Sequence, residues 1–166
     1  MRGYALLLAL TSLIAAPVAA QTVDAGRGPL PVIVPDSYDA GEPTPLVMLI
    51  HGYTGTGQGQ DSYMQVGHLA DDYGFIFVAP DGTTESNGSG NQFWNASTAC
   101  CNFHGSDVDD VAYLSDLIAA LKEQYTIDDK RVFLFGHSNG GFMSYRMAPE
   151  RSQTIAAIAS LAGADQ

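Results

Sequence analysis

Apolar runs of strand length, separated by stretches with helical spacing or turn chemistry, constrain the fold of this chain more than any other feature. Residues 46–50, 75–79 and 131–135 are short runs with little polar interruption, the pattern of strands buried on both faces. Residues 31–34 precede them as a further strand, and 155–161 form a later apolar run. Between these, 60–73 is predicted helical. Val108, Val111, Ala112, Leu114, Leu117, Ile118 and Leu121 draw the apolar stripe of a helix running to about Tyr125. Residues 140–147 are predicted as a third helix, stopped by Pro149. Ser106-Asp107-Val108-Asp109 fits a capping box. Asp107, Asp109 and Asp110 then lie where a helix N-terminus favours negative charge. Turn chemistry fills 36–45 and Asp128-Asp129, and 80–105 reads as a long polar loop. Strands alternating with helices predict an α/β domain whose mostly parallel sheet is covered by helices on both faces.

The length of 166 residues suits one domain or part of one, and 46% hydrophobic with 15% charged residues is a globular composition. The first twenty residues have the form of a secretory signal peptide. Arg2 supplies the charged start, 4–16 is an apolar run too short for a membrane span, and Val18-Ala19-Ala20 places small residues ahead of a cut before Gln21. Residues 21–166 are then the mature chain, secreted to the extracellular space or periplasm. Its net charge is one unit more negative than the −11 of the whole sequence. Such a surface repels nucleic acid and anionic lipid, and favours neutral substrates. The two cysteines, Cys100 and Cys101, are adjacent. They can bond to each other, or one can pair with a cysteine beyond residue 166; no spacing for a metal site is present.

The chemistry concentrates at Gly136-His137-Ser138-Asn139-Gly140, a G-x-S-x-G pattern that follows one predicted strand and precedes a predicted helix. A serine on that sharp bend projects at the C-terminal edge of the sheet beside a helix N-terminus, which favours developing negative charge. Ser138 is therefore the candidate nucleophile. Gly136 and Gly140 let strand and helix approach, and His137 is expected to point away from Ser138. His51-Gly52 directly follows the strand 46–50. The loop after that strand supplies one oxyanion donor in this architecture, so the backbone N–H groups of Tyr53 and Asn139 are the candidate oxyanion hole. The His51 imidazole is read as a brace for the loop. Trp94 is either a plug over the core or a platform for a sugar or polymer. Asn87 and Asn95 head N-x-S glycosylation patterns.

Residues 46–52, 78–82, the Trp94 to Cys101 segment, Val108-Asp109-Asp110-Val111 and 136–141 together resemble the secreted polyhydroxybutyrate depolymerase-like esterases, a group that includes feruloyl and acetyl xylan esterases. The resemblance implies an α/β-hydrolase three-layer sandwich, a Ser–Asp–His triad, and neither metal nor cofactor. It implies that the last strands are missing, since the chain stops after what resembles the sixth of eight. The triad acid and base are then expected beyond residue 166, because no histidine follows Ser138. His68 on a predicted helix and His104 in the long loop do not suit the triad geometry. The 166 residues alone are expected to be nearly inactive. The expected function is hydrolysis of carboxylic esters, of the polyester or acylated-polysaccharide class, through an acyl-enzyme. The alternatives are a non-catalytic polymer-binding protein on the same scaffold and a serine peptidase of related fold.

Overall fold

The structure is a computed structural model that describes residues 21–164. The candidate signal peptide lies outside the described residues. The chain runs β1 (Thr22–Val23), β2 (Leu30–Ile33), β3 (Thr44–Ile50), α1 (Gly57–Met64), a 3-10 turn (Gly67–Leu69), α2 (Ala70–Tyr73), β4 (Ile76–Val78), β5 (Thr83–Thr84), β6 (Gln92–Phe93), α3 (Asp110–Gln124), β7 (Ile127–His137), α4 (Asn139–Glu150) and β8 (Ala157–Leu161). Six strands form one sheet in the order β1-β2-β4-β3-β7-β8, and β5 and β6 pair as a separate small hairpin. The pairs β4–β3, β3–β7 and β7–β8 are parallel, while β1 and β2 join antiparallel at one side.

Alternate residues of β3 face opposite layers, as strand geometry requires. Leu46, Met48 and Ile50 pack with Leu114, Leu117 and Leu121 of α3 and with Met143 and Met147 of α4. Leu49 faces the other side with Phe77, Val66 and Ala70. Helices thus cover both faces, which satisfies the backbone and side-chain demands of strands buried on both sides. Each of the fully buried leucines removes enough apolar surface from water to contribute about 2 kcal/mol of transfer free energy.

Several local expectations are corrected. Residues 60–73 are two helices, not one. Gln65 adopts the left-handed conformation (φ 59°) and its N–H closes onto the Asp61 carbonyl, ending α1. Asp128 and Asp129 lie inside β7, where the four residues 128–131 are set against Pro45 alone of β3. The turn chemistry is absorbed as a bulge, with Asp128 Oδ1 accepting the Lys130 N–H. Ser106 does not cap α3. Asp109 does, accepting the Ala112 N–H at 2.9 Å, while Ser106 Oγ accepts from Val108. Pro149 sits within the last turn of α4, which closes only when the Arg151 N–H bonds to the Met147 carbonyl. The loop 80–105 contains the β5–β6 hairpin, and Trp94 behind it is fully buried as a plug.

Candidate active site

Ser138 occupies the bend between β7 and α4 with φ 51° and ψ −117°, a conformation that side chains other than glycine's rarely hold. Serine at a helix N-cap normally turns its hydroxyl onto the N–H groups of the first turn. This bend prevents that, and Ser138 makes no side-chain cap bond. Its N–H donates to the Leu161 carbonyl of β8 (2.7 Å), and its carbonyl accepts from Phe142 (3.1 Å). The backbone is thus tied on both sides while the half-buried side chain stays free.

The two flanking glycines make the bend feasible. A Cβ on Gly136 would overlap the Gly140 carbonyl, and one on Gly140 would overlap the Ile50 carbonyl at the end of β3. That second approach draws the β3 end up to α4. A Cβ on Gly52 would stand 3.4 Å from Ser138 Cβ, so the loop after β3 lies directly against Ser138.

His51 is fully buried and fixes that loop. The Gly82 N–H donates to His51 Nε2 at 2.8 Å, so Nδ1 carries the proton and donates to the Gly52 carbonyl at 2.7 Å. Burial pushes the imidazole pKa down, and the Gly52 bond opposes only part of that shift. His51 is a neutral brace. Gripping the Gly52 carbonyl also orients the Tyr53 N–H, because both belong to one planar trans peptide. Among the described residues neither the Tyr53 N–H nor the Asn139 N–H has an acceptor.

The Asn139 side chain does something its backbone role does not suggest. It is fully buried, its Oδ1 accepts the Trp94 N–H (2.7 Å) and its Nδ2 donates to the Trp94 carbonyl (3.0 Å). Trp94 Nε1 donates in turn to the His51 carbonyl at 3.0 Å. The plug therefore ties the start of α4 to the end of β3. The asparagine beside the serine was the one legible signal of this tie.

Tyr53 is held from the other side. Its hydroxyl donates to Glu85 Oε1 at 2.6 Å, and its ring meets Phe103 edge-on. The Thr54 N–H donates to the Gln92 carbonyl (2.8 Å), which pins the loop to the hairpin. Glu85 also accepts from Ser89, Asn91 and Asn87. The Tyr53 hydroxyl, with smaller help from those three, holds the Glu85 pKa down at about 2 against an ordinary 4.5. A depressed carboxyl pKa stabilises the fold fully above the unfolded value, and that contribution is lost as pH falls through the folded one. The gap in Tm between the protein and Glu85→Gln is therefore expected to be constant above pH 5 and to close between about pH 4.5 and pH 2, as read by thermal melts across that range.

Of the remaining candidates, His137 has its Nδ1 on Gln60 Oε1 at 3.2 Å. His68 is exposed. His104 lies against Glu85 and Asn87. The Asn95 amide donates to the Ser106 and Val108 carbonyls, so it is committed inside its loop. Cys100 and Cys101 are bonded to each other across a cis peptide. Two cavities of about 540 and 470 Å³ lie elsewhere, and Ser138 lines neither. Among the described residues no group of three or more His, Cys, Asp or Glu converges as a metal-ligand set, and no helix is long and apolar enough to cross a membrane.

The chain is similar to several known esterases. The chain is 32% identical over 120 residues to a bifunctional acetylxylan esterase/xylanase of Neocallimastix patriciarum, covering 72% of this chain and 16% of that protein. It is 28% identical over 125 residues to feruloyl esterase B of Piromyces equi, covering 75% of this chain and 22% of that one. The solved acetyl xylan esterase from Aspergillus awamori superposes with a TM-score of 0.61 at 27% identity, over 85% of this chain and 50% of its own. The chain thus spans half the length of that structure and a smaller share of these two curated relatives. A thermostable esterase at 18% identity shares the fold, with a TM-score of 0.56. The fold is that of the α/β-hydrolases. The chlorophyllase family model matches residues 12–166, nearly the entire sequence, and the chain belongs to that family.

Proposed function

We propose that the protein containing these residues is a secreted serine esterase that hydrolyses carboxylic esters, of the polyester or acylated-polysaccharide class, through an acyl-enzyme. One observation carries the reading: a serine at a helix N-cap whose positive-φ bend keeps its hydroxyl off the helix, near two N–H groups that have no acceptor among the described residues. Ser138 Oγ attacks the ester carbonyl as a base takes its proton. The Tyr53 and Asn139 N–H groups hold the oxyanion, each worth on the order of a hundred- to a thousand-fold in rate. The intermediate collapses with loss of the alcohol, and water then hydrolyses the acyl-serine. The base is a histidine from outside this segment. His51 has both ring nitrogens engaged, and His137 is turned onto Gln60. The acetylxylan and feruloyl esterase relatives support the substrate class.

The test is fluorophosphonate labelling of the full-length protein with mapping of the modified peptide, alongside a panel of p-nitrophenyl esters. Label on Ser138 with ester turnover is expected. An unlabelled, inactive protein overturns the reading. Cleavage of peptide amides in preference to esters would favour a peptidase, and polymer binding without turnover a non-catalytic module. Secretion predicts a mature protein in the medium whose first residue is Gln21, read by N-terminal sequencing.

A further inference from the structure

Gln60 lies on α1, outside both segments that carry the proposed oxyanion donors, yet it touches both. The residue is buried, 8% exposed. Oε1 accepts the Gly52 N–H at 3.1 Å and meets His137 Nδ1 at 3.2 Å. A backbone N–H can only donate, so the contacting Gln60 atom is the carbonyl oxygen, and His137 must carry its proton on Nδ1. Gly52 immediately precedes Tyr53, and His137 immediately precedes Ser138 and Asn139. One oxygen therefore bridges the residue ahead of each donor-bearing segment.

Gln60 itself is firmly placed. Thr56 caps α1 by accepting the Gly59 N–H, and the Gly57 N–H donates to Asp81 Oδ1 at 2.7 Å. Gly57 is pressed on the Ala79 carbonyl so closely that a Cβ there would overlap it. The start of α1 is thus registered on the end of β4, and Gln60 transmits that register to the site. While His51 grips the Gly52 carbonyl, Gln60 grips the Gly52 N–H, so two consecutive peptides are fixed.

We propose that Gln60 is a positioning residue that sets the spacing between the two oxyanion donors by sharing one side-chain oxygen between the Gly52 loop and the His137 end of β7. The inference rests on the ester-hydrolase reading above. Oxyanion stabilisation depends on donors already in place when charge develops, and a misplacement near 1 Å can cost about a hundred-fold.

The experiment compares full-length wild type, Gln60→Met and Gln60→Glu in p-nitrophenyl acetate kinetics and in affinity for a boronic acid, whose tetrahedral serine adduct puts an oxygen at the oxyanion position. Methionine keeps the length and volume and removes the acceptor. At a temperature well below Tm, Gln60→Met is expected to lose about tenfold in kcat with KM within about twofold, and boronate affinity is expected to fall by the same factor. A residue that served folding alone would lower Tm and leave both readouts intact. Glutamate can still accept both bonds but adds negative charge beside the donors. Its kcat is expected below wild type when ionised, and the ratio to wild type is expected to rise as pH falls through its titration. A folded Gln60→Met with unchanged kcat and boronate affinity, or with its loss entirely in KM, overturns the proposal. If Gln60→Met shows no cooperative transition, a folded Gln60→Leu with unchanged kcat and boronate affinity overturns it instead. Wild type that is neither active nor labelled ends the esterase reading itself; active wild type with silent Gln60 variants ends only this inference.

Discussion

Ser138→Ala in the full-length protein is expected to lower ester turnover by about a million-fold, to abolish fluorophosphonate labelling, and to leave Tm within about 2 °C of wild type. The size follows from the role. Without the hydroxyl no acyl-enzyme forms, and only the oxyanion donors and substrate binding remain, which together leave roughly a thousand-fold over the uncatalysed reaction. The unchanged stability follows from the geometry. Ser138 is tied through its backbone, to Leu161 and Phe142, and its hydroxyl caps nothing. Activity within about tenfold of wild type would show that the nucleophile lies elsewhere.

Glycine at the same position sharpens the point. With φ at 51° and ψ at −117°, Ser138 holds a backbone state that is costly for any residue with a Cβ. Ser138→Gly relieves that cost in the folded state while loosening the unfolded chain, and the first effect is the larger where the native φ suits glycine. The expected result is an inactive protein about 1 kcal/mol more stable than Ser138→Ala in urea titrations. Alanine and glycine variants of equal stability would mean that the bend stores no strain.

What was legible in advance was whatever local chemistry dictates. Gly136 and Gly140 announce a close approach of strand and helix because no other residue fits against the Gly140 and Ile50 carbonyls. The runs around Met48, Phe77 and Leu134 announce buried strands because nothing polar interrupts them. What stayed hidden depends on partners far away in the chain. Gln60 reads as one polar residue on an exposed-looking helix, and only the arrival of Gly52 and His137 makes it a buried bridge. Glu85 reads as loop charge until Tyr53 reaches it from 32 residues away. Ser106 had the better capping spacing, but the Asn95 and Asn102 amides claim its carbonyl and leave the cap to Asp109. Asp110 reads as one acid at a helix start, yet it is fully buried.

That burial makes Asp110→Ala strongly destabilising, with an expected loss of about 3–5 kcal/mol. Asp110 Oδ1 takes the Arg27 guanidinium and the Thr83 hydroxyl, and Oδ2 accepts the Asn95 N–H at 2.6 Å. Arg27 arrives from 83 residues away and stacks 3.7 Å over the Tyr113 ring, so the ion pair fastens the segment after β1 onto α3. Alanine leaves the guanidinium without its counter-charge and a main-chain N–H without its acceptor. Such orphaned groups cost more than the intact pair contributes. Asp110→Asn keeps an acceptor for one N–H and drops the charge, so its loss is expected to be about half as large. Urea unfolding of the full-length proteins should place the Asp110→Ala midpoint roughly 2 M below wild type and Asp110→Asn between them. The damage should also reach the chemistry, because Asn95 adjoins Trp94, whose backbone holds the Asn139 side chain. Folded Asp110→Asn is therefore expected to lose kcat about threefold or more at unchanged KM, since the Asn139 N–H is then less firmly aimed. Equal midpoints for all three proteins would show that solvent, not Asp110, already satisfies Arg27 and Asn95. A lowered midpoint with kcat intact would confine the carboxylate to holding the fold, with Trp94 rigid enough to aim Asn139 without it.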